Sequence, residues 1–256
     1  MDRAALDAAY NNSAAVKNSA QIVAGWEARS AEVRRSPQAS LDLQYGPDER
    51  NRIDCFEAAS GAPLLVFIHG GYWQMRAKET FAFLAAGPLA HGISVALVGY
   101  TLAPQKRLDG IVAEIHGALD FLSSRNSSLY VSGWSAGGHL TAMAMAHPAV
   151  RGGLAISGIY DLEPIRLCYV NDKLRLDEEE ARRNSPLLHP ARNGKPLFIS
   201  YGKAELPELQ RQSEEYAKVV ERALRPLTGH DHFTILEELA SPQGALTGMV
   251  RTLLDA

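Results

Sequence analysis

A serine hydroxyl attacks a carbonyl only when a base takes its proton and hydrogen-bond donors meet the charge that grows on the carbonyl oxygen. The sequence carries candidates for each part. Ser135 lies in Val131-Ser132-Gly133-Trp134-Ser135-Ala136-Gly137-Gly138, a Gly-x-Ser-x-Gly pattern between an apolar run and a stretch of small residues. Gly133 and Gly137 leave room for the chain to double back sharply around Ser135. A helix starting near Ala136 aims its amides and its positive dipole end at the hydroxyl. His69-Gly70-Gly71-Tyr72-Trp73 carries a glycine pair that lets backbone amides turn inward. Carboxylates occur at Asp161, Glu205 and Glu208, and a late loop, Thr228-Gly229-His230-Asp231-His232-Phe233, holds two histidines. Together these residues point to acyl transfer through an activated serine.

Positioning such groups requires a scaffold, and the apolar pattern describes one. Residues 41–45 alternate apolar and polar, Gly46-Pro47-Asp48 marks a turn, and 52–57 reads as the second strand of a hairpin. Pro63-Leu64-Leu65-Val66-Phe67-Ile68 is continuously apolar, as a strand buried on both faces must be. Further strands are expected at 93–98, 129–131, 153–156, 196–200 and 222–227. Helices are expected near 76–90, 109–124, 136–147 and 207–224, with Gly87-Pro88 interrupting the first of these. Alternating strand and helix predicts an α/β fold with a mostly parallel sheet, helices on both faces and right-handed crossovers. Residues 1–40 read as an N-terminal helical segment, with Ile22, Val23 and Trp26 at helical spacing. Two placements stay open for this segment: packed on the outside, or, for residues 6–16, over the active site. Residues 162–195 interrupt the alternation as a cap-like insertion, and 173–183 reads as one mixed-charge helix with a solvated face.

Functional groups of a parallel sheet collect beyond the carboxyl ends of its strands. Four stretches meet that condition. The loop after Ile68 supplies the amides of Gly71 and Tyr72, which with Ala136 are assigned to the oxyanion hole; a register shifted by one residue brings in Gly70. Tyr72, Trp73 and Trp134 are the substrate-pocket candidates, with simple aromatic packing the competing reading of Tyr72 and Trp73. His69 braces this loop. The second stretch presents Ser135. Where a serine sits on such a strand–turn–helix elbow, acid and base follow it in chain order. Glu205, after an apolar strand and before Pro207, is the preferred acid. Glu208 complements the dipole of the following helix, and Asp161 is the rival acid. His230 and His232 share the last stretch, and their roles stay open at this level between base, loop former and metal ligand. No His-Glu-x-x-His pattern or cysteine cluster supports a metal site. The remaining histidines, His91, His116, His139, His147 and His189, lie in or beside helices and read as structural.

Composition narrows the partners. The 256 residues are 46% hydrophobic and 21% charged, with a net charge of −3. These are values of a single globular domain, and they give no reason to expect nucleic acid or an anionic membrane as partner. Cys55 and Cys168 lack the spacing of a disulfide framework. No signal peptide or membrane-spanning run is evident, so a cytoplasmic location is expected.

Several segments in order resemble a known group: His69-Gly70-Gly71-Tyr72-Trp73-Gln74, Tyr100-Thr101-Leu102-Ala103-Pro104, Gly133-x-Ser135-Ala136-Gly137, Ser157-Gly158-Ile159-Tyr160-Asp161-Leu162, Leu206-Pro207-Glu208-Leu209 and Asp231-His232-Phe233. The chain from about residue 60 onward resembles the α/β-hydrolase fold kynurenine formamidases (arylformamidases) and their esterase relatives, and Tyr10-Asn11-Asn12 resembles their N-terminal segment. The resemblance implies a catalytic triad of Ser135, Glu205 and His232, with glutamate where many relatives have aspartate. It places Trp134 where relatives often have histidine. It implies no cofactor and a small-molecule ester or formamide as substrate, with homodimerisation left open.

Overall fold

The computed structural model describes residues 1–255. Eight strands form one sheet: β1 (Ala39–Gln44), β2 (Arg52–Phe56), β3 (Leu64–Ile68), β4 (Ser94–Val98), β5 (Leu129–Trp134), β6 (Val150–Ile156), β7 (Leu197–Gly202) and β8 (Ala223–Leu227). Their order across the sheet is β1-β2-β4-β3-β5-β6-β7-β8. The hairpin strands β1 and β2 pair antiparallel with each other, and β2 pairs antiparallel with β4. The other pairs are parallel. The apolar run of β3 explains its central place. Val66 and Ile68 enter the core on one face, and Leu65 and Phe67 the core on the other. A period of two divides one strand between two cores.

Helices Leu108–Ser123, Ala136–Ala144 and Pro207–Val220 follow the expected alternation. The helices Ser19–Val33 and Ala245–Leu254 contribute to the core containing Trp26, Phe81, Trp134 and Phe233. The N-terminal helix is therefore more than an outer layer. Trp26 is wholly buried and stacks on Phe83 with ring centroids 5.5 Å apart.

Two local expectations require correction. Gly87-Pro88 does not break the segment after Phe81. Residues Lys78–Ala85 form a 3-10 helix, and Gly87 and Pro88 lie inside a following α turn, Ala86–Leu89. Gly87 fits because a Cβ there would stand 2.1 Å from the Leu239 carbonyl. The mixed-charge stretch 173–183 is not one helix either. Arg175 takes a left-handed conformation after Asn171–Leu174, and Asp177 caps a separate helix, Glu178–Arg183, by accepting the Glu180 N–H at 2.8 Å. Its face is not simply solvated: Glu180 is fully buried and pairs with Arg107. Among the described residues, no helix is long and apolar enough to cross a membrane.

Candidate active site

Ser135 joins β5 to the Ala136–Ala144 helix with φ 59° and ψ −120°, a conformation costly for a residue with a Cβ. The close approach of neighbouring backbone explains both glycines. A Cβ on Gly133 would lie 2.3 Å from the Gly137 carbonyl, and one on Gly137 would lie 1.9 Å from the Ile68 carbonyl. The Ser135 N–H is anchored to the Ile156 carbonyl of β6 at 2.9 Å. The serine is therefore held by the central strands β3, β5 and β6.

The loop after β3 runs alongside. Gly71, Tyr72 and Trp73 all have positive φ, which turns the chain in a tight arc, and the N–H groups of Gln74 and Met75 both donate to the Gly71 carbonyl. Gly70 is pressed against the elbow, where a Cβ would meet the Trp134 carbonyl at 2.6 Å. His69 braces the loop. Its Nδ1–H donates to the Gly70 carbonyl at 2.8 Å, and its ring stacks on Tyr100 at 4.2 Å. Tyr100 in turn donates its hydroxyl to the His69 carbonyl. Burial pushes the His69 imidazole down to about 4, so it is neutral at ordinary pH. Among the described residues, the N–H groups of Gly71, Tyr72 and Ala136 donate to no protein acceptor.

The acid and base candidates meet beyond the ends of β7 and β8. His232 Nδ1–H donates to Glu205 Oε2 at 2.9 Å. The other carboxylate oxygen, Oε1, accepts the Ser157 hydroxyl and the Gly202 N–H, each at 2.6 Å. Ser135, Glu205 and His232 are 2%, 6% and 3% exposed. Ser135 and His232 face one narrow cleft, lined also by Asn12, Gly71, Tyr72 and Arg76. Asp161 is placed elsewhere: its carboxylate accepts the Glu163 N–H at 3.1 Å. Glu208 pairs with Arg211 and accepts the Tyr10 hydroxyl. His230 Nε2 lies 3.2 Å from Glu238 Oε1, away from Ser135 and Glu205.

The aromatic candidates separate. Tyr72 lines the cleft, and its hydroxyl donates to the Tyr10 carbonyl at 2.5 Å and accepts from Asn12 Nδ2 at 3.0 Å. Trp134 also reaches the cleft, but its ring is buried against Trp26 and His232, and Nε1–H donates to the His232 carbonyl at 2.6 Å. It therefore fixes the histidine loop. Trp73 is wholly buried, edge-on to His139 at 5.0 Å, and takes no part in the cleft lining. Sequence reasoning missed Ser157 as the partner of Glu205. Its signal was a small polar residue directly after β6 and before Gly158.

Of the two placements open for the N-terminal segment, the structure takes the one over the site. Asn12 and Ser13 form part of the cleft wall. Tyr10 is fully buried, and its hydroxyl accepts from Gln212 Nε2 at 2.8 Å. The 162–195 segment contacts the N-terminal segment and the loop after β3: Tyr169 N–H donates to Asp7, and Gln74 Nε2 donates to the Val170 carbonyl.

A serine on a strand–helix elbow, a glycine-rich loop after β3 and a carboxylate–histidine pair beyond β7 define the architecture of the α/β hydrolases. Residues 65–230 match the family described as alpha/beta hydrolase fold. The chain is 33% identical over 245 residues to a kynurenine formamidase of Danio rerio, covering 86% of this chain and 84% of that protein. A kynurenine formamidase of Drosophila melanogaster is 29% identical over 242 residues, 82% of this chain and 80% of that protein. Among solved structures, a candidate thioesterase from Silicibacter shares 30% identity with a TM-score of 0.91, covering 96% of this chain and 98% of that one. A Pyrobaculum calidifontis esterase, at 18% identity and TM-score 0.73 over 91% of this chain and 92% of its own, shares the fold. The chain belongs to the α/β-hydrolase family, with the kynurenine formamidases and their esterase relatives, and it is a hydrolase.

Proposed function

We propose that this enzyme hydrolyses an N-formyl aryl amide of the N-formylkynurenine type through an acyl-enzyme. The observation that carries the reading is the Glu205–His232 contact at 2.9 Å beside the cleft that Ser135 also lines. The relatives named kynurenine formamidase, matched over most of both chains, support the choice of substrate.

In this mechanism, His232 Nε2 takes the Ser135 proton as Oγ attacks the formyl carbon. Glu205 holds Nδ1–H, which fixes the tautomer and stabilises the imidazolium. The amides of Gly71, Tyr72 and Ala136 receive the oxyanion. The C–N bond breaks as His232 returns the proton to the leaving arylamine. Water, deprotonated by His232, then releases formate and restores Ser135. No cofactor enters any step.

The ester reading is the second candidate, favoured by the esterase and thioesterase names among the structural neighbours. Purified enzyme offered N-formylkynurenine and p-nitrophenyl acetate in parallel is expected to release formate from the first with the higher kcat/KM. Turnover of the ester alone sinks the formamidase assignment. In either case Ser135→Ala is expected to abolish turnover.

A further inference from the structure

Arg76 shares the cleft with Ser135 and His232. It is half-buried, and among the described residues no carboxylate lies within 4.0 Å of its guanidinium and no side-chain hydrogen bond engages it. The other half-buried arginines have acceptors: Arg34, Arg166 and Arg211 pair with Asp54, Glu163 and Glu208, and Arg50, Arg52 and Arg222 donate to backbone carbonyls. A partly buried cation without a counter-charge is a cost, and such cations mark sites that receive an anion. Its position is also built. The residue is held at φ 74°, and its carbonyl accepts Arg50 Nη2 at 2.6 Å. Its side-chain stem lies over Gly71, where a Cβ would meet Arg76 Cγ at 2.8 Å. Burial lowers its pKa, an effect opposed only by the more distant charge of Glu27.

We propose that Arg76 is an anion subsite of this cleft, which receives a carboxylate of the substrate while Ser135 attacks the scissile carbonyl. The planar guanidinium donates two parallel N–H bonds to a carboxylate, which fixes orientation as well as charge. The enzyme's substrates are then carboxylate-bearing acyl compounds, and neutral analogues of the same shape are poor. The inference rests on the acyl-transfer reading of Ser135 and not on the formamide being the bond cleaved.

Two matched pairs test it: N-formylkynurenine against its carboxamide, and mono-p-nitrophenyl succinate against p-nitrophenyl butyrate. Wild-type enzyme is expected to prefer the carboxylate in at least one pair by roughly 10- to 100-fold in kcat/KM, the range for a charge-assisted bond. In Arg76→Gln that ratio falls toward one, mainly through KM, and Arg76→Lys restores part of it. The wild-type comparison needs no variant, so a misfolded substitution leaves the test intact. Equal use of charged and neutral members by wild-type enzyme, or a preference that survives in folded Arg76→Gln, overturns the subsite. If neither formamide reacts but the ester pair behaves as expected, the formamidase reading fails and the subsite stands. If no compound of either pair reacts, both fall.

Discussion

At the scale of single residues, which carboxylate meets the histidine is set by contacts that composition does not display. Glu205 and Asp161 both follow strands, and both carry a carboxylate suited to orient a histidine. Only Glu205 reaches His232, with its second oxygen held by Ser157 and Gly202. Asp161 instead accepts a backbone N–H of its own turn. Glu205→Gln keeps the shape but presents the wrong partner to Nδ1–H, so kcat is expected to fall roughly 100- to 10,000-fold. Asp161→Asn should change it less than about fivefold, because it touches no member of the pair. Steady-state rates of the two purified variants check this. A larger loss in Asp161→Asn would reassign the acid.

At the scale of elements, the site depends on how closely β3, β5 and the Ala136–Ala144 helix approach one another. Gly137 is the tightest point, since its missing Cβ would sit 1.9 Å from the Ile68 carbonyl. That overlap is with backbone, which no rotamer change relieves. Gly137→Ala is therefore expected to cost about 3 kcal/mol or more, the range of severe overpacking. Urea unfolding gives the value directly, and an unchanged midpoint would show that the elbow yields. The N-terminal segment belongs to the same scale. Tyr10 ties it to Gln212, and the pair Tyr72–Asn12 ties it to the loop after β3.

At the scale of the whole molecule, burial of two neutral imidazoles sets an acid limit to stability. His69 and His139 are both enclosed, and burial pushes each down to about 4. In the unfolded chain they take up protons near pH 6.5, while in the folded protein they stay neutral until about pH 4. The unfolded state thus binds more protons in this window, so stability is complete above pH 6.5 and falls as pH drops. The loss is expected to approach about 1.4 kcal/mol per pH unit for each imidazole. Denaturant unfolding at pH 7, 6 and 5 measures it, and stability that stays level over this range would mean that one or both rings charge inside the fold.

The parallel sheet and the serine elbow were legible in the sequence because each rests on local pattern, continuous apolar runs and glycines flanking one serine, whereas the choice of His232 over His230 came from the resemblance. Trp73, Ser157 and Arg76 were not, because nothing local distinguishes a packed indole from a cleft wall, or a hydroxyl that holds a carboxylate from one in an ordinary turn. Strand context and the resemblance both pointed to Glu205, and the adjacent ends of β6, β7 and β8 brought Ser157 and His232 to its two oxygens. The sequence by itself determined which elements form and which chemical groups they end on. The tertiary structure alone decided which of those groups touch, because contacts between residues tens of positions apart depend on strand order and helix packing that no short stretch encodes.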